Sequence, residues 1–193
     1  MTAPQLAHRR LDHVVLIVAA PGAGKTFLLQ KLEKRHRERG ARFVVHDRLG
    51  HWLDAPGRVR VRGEPEEAAR VAIREAPCTL IIDEASDAFP SSGWSPKLYP
   101  ALQEVLRVGR QASADGPWRR AGPVSLLLTS QRPAEIHTCV RGMIDRLYVG
   151  GFPSTAVPDL EWIAKALRDP TIIEKAPALP FGKFLPYWPR GSS

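Results

Sequence analysis

The sequence is short of the features that mark secreted, membrane-spanning or multidomain chains. Only two cysteines, Cys78 and Cys139, occur in 193 residues. They stand beside predicted core segments and form neither a disulfide framework nor a metal-ligand cluster, so they read as buried free thiols of a reducing compartment. No apolar run approaches the roughly 20 residues that cross a bilayer. The opening MTAPQLAHRRLDHVVLIVAAPG places basic residues before an apolar run, as an export signal does. That run stops at Pro21 and leads into a glycine turn and a polar helix instead of a small-residue cleavage site, so the chain is expected to be soluble and without a signal peptide. There is no internal repeat, and 193 residues leave little room for a second full domain; residues 1–193 are expected to form one domain. Acids are in deficit, 20 Asp plus Glu against 28 Lys plus Arg, for a formal net charge of +8. That balance favours a polyanionic partner or an acidic surface without identifying either.

What the sequence does contain is an alternation of short apolar runs with helical patterns. His13 to Ala19 reads as a strand, Pro21 to Gly24 as a turn, and Lys25 to Arg39 as a helix ended by Gly40. Phe43 to Val45 reads as a second parallel strand. RVRVR at 58 to 62 alternates strictly and predicts an edge strand with its arginines on the wet face. A helix is expected over Glu64 to Ala76, stopped by Pro77, then the strand CTLIID, then a helix over Ser95 to Ala114 with Leu98, Leu102, Val105 and Leu106 near one face. The turn-rich SADGPWRRAGP precedes a further buried strand, PVSLLLTS. DRLYVGGF supplies one more strand, and VPDLEWIAKALRD a late helix with Asp159 near its start. The proline- and aromatic-rich stretch from 177 to 193 reads as an extended arm that packs on its own domain or passes to a neighbour. The alternation predicts a three-layer α/β domain.

Three strand ends carry chemistry. AAPGAGKT, Ala19 to Thr26, follows a buried strand and opens a helix, the context of a phosphate-binding loop. In such a loop backbone N–H groups curl around the phosphates, the lysine reaches the β and γ phosphates and the hydroxyl coordinates Mg²⁺. Pro21, Gly22, Ala23, Gly24, Lys25 and Thr26 fill those positions. The pattern's first glycine is replaced by Ala19, which is acceptable at the strand exit if its φ is negative. Asp83 and Glu84 close the run TLIID; the first acid is placed to hold Mg²⁺ and the second to accept a proton from an attacking water. LLLTSQRP then puts Gln131 at the tip of a central strand, in reach of a γ-phosphate as a sensor of nucleotide state.

With these motifs the chain resembles the FtsK and HerA superfamily of hexameric DNA-pumping ATPases, and most of all the genome-packaging ATPases of tailless, membrane-containing icosahedral viruses. The likeness spans about residues 13 to 150, and TSQRP, Thr129 to Pro133, is its discriminating part. The resemblance implies a RecA-like P-loop NTPase core with a mostly parallel central sheet. It implies Lys25 and Thr26 as ligands of ATP and Mg²⁺, Asp83 as the metal-side acid, Glu84 as general base and Gln131 as sensor. It also implies a ring of identical subunits, a homo-hexamer or another ring, acting on double-stranded DNA at a virion vertex or in the host cytoplasm, with capsid-vertex or inner-membrane proteins as possible partners. Family members carry an arginine that enters the neighbouring subunit's site. Arg110 matches its neighbourhood best and Arg107 second, while the insertion-like SADGPWRRAGP leaves Arg119 or Arg120 as alternatives. Arg58, Arg60 and Arg62, or Arg119 and Arg120 beside Trp118, are candidate DNA contacts. Trp52, Trp118, Trp162 and Trp188 are read as packing residues. The alternatives are a cellular or plasmid DNA translocase and a non-motor nucleotide switch that orders an assembly.

Overall fold

The structure is a computed structural model that describes residues 13–48, 50–108 and 122–188. Its elements follow the order β1 (Val14–Val18), α1 (Lys25–Arg37), β2 (Phe43–His46), β3 (Arg58–Val61), α2 (Pro65–Arg74), β4 (Cys78–Asp83), α3 (Ala85–Ala88), α4 (Pro100–Val108), β5 (Val124–Ser130), α5 (Thr138–Arg141), β6 (Arg146–Val149), α6 (Val157–Leu167), α7 (Ile172–Lys175) and β7 (Leu185–Tyr187). Among the described residues the strands form one seven-stranded sheet in the order β3-β2-β4-β5-β1-β6-β7. Every neighbouring pair is parallel except β6 with β7. This is the expected three-layer, RecA-like P-loop NTPase core.

Strands buried on both faces must be apolar at every position, and β1, β4 and β5 are nearly so. Successive residues serve opposite layers. Leu16, Leu80, Leu126 and Leu128 join the core that contains Ala68, Ala72, Leu102 and Val105 of α2 and α4. Ile17, Val45, Ile81 and Leu127 face the other way, into a smaller cluster with Leu29 of α1 and Trp52. Because six strands run parallel, their C-terminal ends lie along one edge of the sheet, where ligands of open α/β sheets bind. Ala19, Asp47, Glu84, Gln131 and Gly150, each following the end of its strand, therefore share that edge. The strand between β1 and β4 is β5, whose register sets Val18 against Ser130 and Asp83 against Thr129.

Three sequence expectations are corrected. β3 is an edge strand, yet its arginines are not on a wet face. The Arg58 guanidinium meets the fully buried Glu33 carboxylate at 2.8 Å and lies over the Trp52 ring at 5.0 Å. Arg60 pairs with Asp54 at 2.9 Å and Asp47 at 3.5 Å, and Val59 is the exposed residue of the strand. Two buried acids pull these side chains inward, leaving Arg62 exposed. The helix expected from Ser95 starts only at Pro100. Proline suits a first turn and disfavours helical backbone in the residue before it, so Leu98 lies outside the helix and is 65% exposed. The first helix ends at Arg37, followed by a turn in which the Gly40 N–H donates to the Arg37 carbonyl.

The described part of the C-terminal stretch, to Trp188, folds against its own chain. β7 pairs with β6, and Gly182 donates its N–H to the carbonyl of Ala23 in the phosphate-loop motif at 3.2 Å. Trp52 and Trp162 are packing residues, 2% and 5% exposed, whereas Trp188 is half exposed beneath the Arg146 guanidinium. Trp118 lies outside the described residues. Cys78 is buried, Cys139 is half-buried, and neither is in a disulfide. Among the described residues no helix is long and apolar enough to cross a membrane.

Candidate active site

The turn after β1 needs glycine twice. Gly22 and Gly24 adopt φ of +74° and +92°, which a side chain would strain. Ala19 is not among the positive-φ residues, so its methyl carries no backbone penalty. Room for that methyl comes from β6, because a Cβ at Gly150 would stand 2.8 Å from the Ala19 Cβ. One small residue at the end of each neighbouring strand thus lets the exit of β1 accept alanine.

Lys25 opens α1 and is 7% exposed. Its Nζ donates to the carbonyls of Ala19 and Ala20 at 2.8 and 2.9 Å, which leaves one of three ammonium hydrogens for a ligand. Burial pulls its pKa below the ordinary lysine value, opposed by the nearby carboxylates of Glu84 and Asp83. Thr26 donates its hydroxyl to Asp83 Oδ2 at 3.2 Å, joining the first turn of α1 to the end of β4.

Two hydroxyls at the end of β5 hold both acids. Thr129 Oγ1 donates to Asp83 Oδ1 at 2.6 Å and accepts the N–H of Glu84 at 3.1 Å. Ser130 Oγ donates to Glu84 Oε1 at 2.8 Å and accepts the N–H of Arg132 at 3.0 Å. Ser86 also donates to Glu84 Oε1, at 3.0 Å, and the Gln131 N–H donates to Oε2 at 3.1 Å. A carboxylate offers about four acceptor positions. Three are occupied here, which fixes the plane of the group and leaves one for a water. Glu84 has φ +94° and ψ +93°, a conformation costing about 1–3 kcal/mol in a residue with a Cβ. The hydroxyl of Thr129 on its N–H helps hold that backbone and turns the carboxylate across to β5.

These groups open into one cleft of about 350 Å³, lined by Gly22, Gly24, Lys25, Thr26, Asp83, Glu84 and Gln131. Pro21 and Ala23 line a second cleft on the β6 side of the loop, walled by Pro153, Pro177 and Pro180. Phe181 borders both clefts, and a Cβ at Gly24 would lie 3.4 Å from its ring. Hard oxygen donors suit Mg²⁺, which is commonly held by one or two carboxylates plus substrate phosphates and waters. Thr26 and Asp83 fit that requirement, and among the described residues no group of three His, Cys, Asp or Glu competes for a metal.

The structure brings Pro21 to Thr26, Asp83, Glu84 and Gln131 together at the loop. Arg110, with Arg119 and Arg120, lies outside the described residues. Arg107 is exposed near the end of α4, where the carbonyl of Leu106 meets His13 Nε2 at 3.2 Å. His13 precedes β1, so this end of α4 lies at the sheet edge opposite the cleft. Sequence reasoning missed the contributors to the cleft that sit at or just after the end of β2, among them His46, Asp47, Arg48 and His51. Their one legible signal was the position of β2 beside the acid-bearing strand. The roles of Thr129 and Ser130 as holders of the two acids were also missed.

The whole fold has known counterparts. No protein-family model and no curated protein matches the chain. Among solved structures, the genome packaging NTPase B204 from Sulfolobus turreted icosahedral virus 2, in complex with AMPPCP, superposes with a TM-score of 0.73 at 19% identity, covering 94% of this chain and 95% of that one. The chain has the fold of a genome-packaging NTPase. B204 in complex with ATP-γS gives a TM-score of 0.69 at 20% identity, over 94% of both chains. The pCW3 conjugation coupling protein TcpA, in its monomer form with ATPγS, gives 0.63 at 15% identity over 94% of this chain and 58% of its own. The likeness read from AAPGAGKT, IIDEA and TSQRP is thus matched by the fold.

Proposed function

We propose that the chain is a Mg²⁺-dependent P-loop ATPase that drives double-stranded DNA translocation, in the setting of viral genome packaging into a preformed capsid. The observation that carries this reading is the hydrogen-bonded lattice joining Thr26, Asp83, Glu84, Thr129 and Ser130 at the mouth of a glycine turn that holds Lys25. An anion at the start of α1 would meet the turn's backbone N–H groups, the helix N-terminus and the remaining donor of Lys25. Thr26 and Asp83 would hold the metal, which when bound neutralises charge on the β and γ phosphates. Glu84 takes the proton of the water that attacks the γ-phosphorus. The bond from that phosphorus to the β–γ bridging oxygen breaks, leaving ADP and inorganic phosphate. Gln131, whose N–H rests on Glu84, links the cleft to the segment after β5 and serves as the sensor.

The packaging reading is supported by the likeness to B204, which runs nearly end to end in both chains, whereas the coupling protein is matched over 58% of its length. A trans-acting arginine from a neighbouring copy, Arg110 first, belongs to the same proposal and requires a ring. The net charge of +8 suits sequence-independent phosphate contacts, with Arg62 the exposed arginine of the β3 region. Hydrolysis measured with and without double-stranded DNA tests the reading. Stimulation by DNA is expected, and a monomer that DNA does not stimulate would leave the non-motor switch in its place.

A further inference from the structure

One arginine lines the cleft among the described residues, and it comes from this chain. Arg48 follows β2 beside the acid-bearing strand. Its position is set by the loop it belongs to. Asp47, 2% exposed, accepts the N–H of His51 at 2.8 Å and of Trp52 at 3.4 Å, and faces Arg60 at 3.5 Å. Trp52 is buried and covered by the Arg58 guanidinium, so the segment is held at Asp47 and at Trp52. The Arg48 side chain itself is 65% exposed and donates from Nη1 to Asp87 Oδ2 at 2.9 Å. Asp87 sits on α3, the short helix that directly follows Glu84.

A solvated ion pair of this kind contributes too little to folding to fix the guanidinium in place. The cleft's lining holds three carboxylates, Asp47, Asp83 and Glu84, against two fixed cations, Lys25 and Arg48. Asp47 is committed to its loop and Lys25 to the turn. A γ-phosphoryl group arriving between Lys25 and Glu84 would place a stronger, bidentate acceptor within the space that Arg48 borders.

We propose that Arg48 is a γ-phosphate sensor acting within its own subunit, held by Asp87 without a γ-phosphate and transferred from that carboxylate to the γ-phosphoryl oxygens when a nucleoside triphosphate binds. The inference rests on the ATPase reading above. It differs from the trans-acting arginine in coming from the same chain, and it gives α3 a direct report of nucleotide state. Losing its partner frees Asp87, and with it the helix that continues from the general base.

The test compares the affinities of ADP and ATPγS, each with Mg²⁺, for the wild-type chain, Arg48→Ala, Arg48→Lys and Asp87→Asn. A charge-assisted contact made only to the γ-phosphate predicts that Arg48→Ala weakens ATPγS by about tenfold to a hundredfold. ADP is predicted to stay within about twofold of wild type in that variant, and Arg48→Lys to restore part of the loss. Asp87→Asn, which removes the competing acceptor, is predicted to leave ATPγS binding as tight as wild type or up to about fivefold tighter. Equal weakening of both nucleotides by Arg48→Ala, no weakening of either, or an Asp87→Asn loss matching that of Arg48→Ala would overturn the sensor. Each of these results would make the pair a strut. A wild-type chain that binds neither nucleotide would overturn the ATPase reading instead, so the two failures are distinct.

Discussion

Replacing Thr129 by valine removes a single hydroxyl from a fully buried side chain while nearly keeping its shape. That oxygen donates to Asp83 at 2.6 Å and accepts the Glu84 N–H at 3.1 Å. A hydrogen bond to a charged group contributes about 1.5–3 kcal/mol, and a buried N–H left without a partner costs about 1–3 kcal/mol. The added methyl recovers part of this through apolar burial, so we expect Thr129→Val to lose about 2–4 kcal/mol of stability. The effect on turnover follows from Glu84. Its φ of +94° is held partly by the lost acceptor, and relaxation of that backbone would swing the carboxylate away from Ser130. A misplacement of about 1 Å costs about a hundredfold in rate. Urea denaturation and steady-state ATP hydrolysis of Thr129→Val, with Thr129→Ser as the hydroxyl-retaining control, read the two effects separately. Full turnover and wild-type stability in Thr129→Val would refute the idea that β5 positions the acids.

Three further outcomes are expected. Glu84→Gln should bind ATP as the wild type does by calorimetry while turnover falls by about a hundredfold or more, the scale of a lost general base. Burial lowers the pKa of Lys25, so between that value and the unfolded one the unfolded chain carries more protons. Its contribution to stability therefore rises with pH across that window, while nucleotide affinity, which needs the ammonium, declines; parallel melting and binding titrations would show the opposed slopes. Gly150→Ala should lower stability by about 1–3 kcal/mol, the cost of overpacking, because its methyl would stand 2.7 Å from the Phe184 ring and 2.8 Å from Ala19. Adding Ala19→Gly should restore part of that loss in a melting experiment.

The core of this fold was legible because parallel strands buried on both faces leave apolar runs such as VVLIV and TLII, and because the acids at 83 and 84 can only mark a strand end. The phosphate loop was legible through glycine, since φ of +74° and +92° excludes most other residues. The β3 arginines were misread for a reason local to the fold: alternation gives the period of a strand but not which face is dry. Glu33, twenty-five residues earlier on α1, decides the matter for Arg58. Arg48 carried no signal in the sequence beyond its place just after β2, because only the register of β2 beside β4 brings it to the cleft. The compensation between Ala19 and Gly150 has the same origin, being a contact between strands far apart in sequence.

ATP turnover by the purified chain in the presence of Mg²⁺, measured with and without double-stranded DNA, tests the central claim most directly. The account predicts hydrolysis that rises with DNA, requires self-association and falls by about a hundredfold or more in Glu84→Gln. Hydrolysis by a monomer that DNA leaves unchanged, or wild-type turnover in Glu84→Gln, would contradict it.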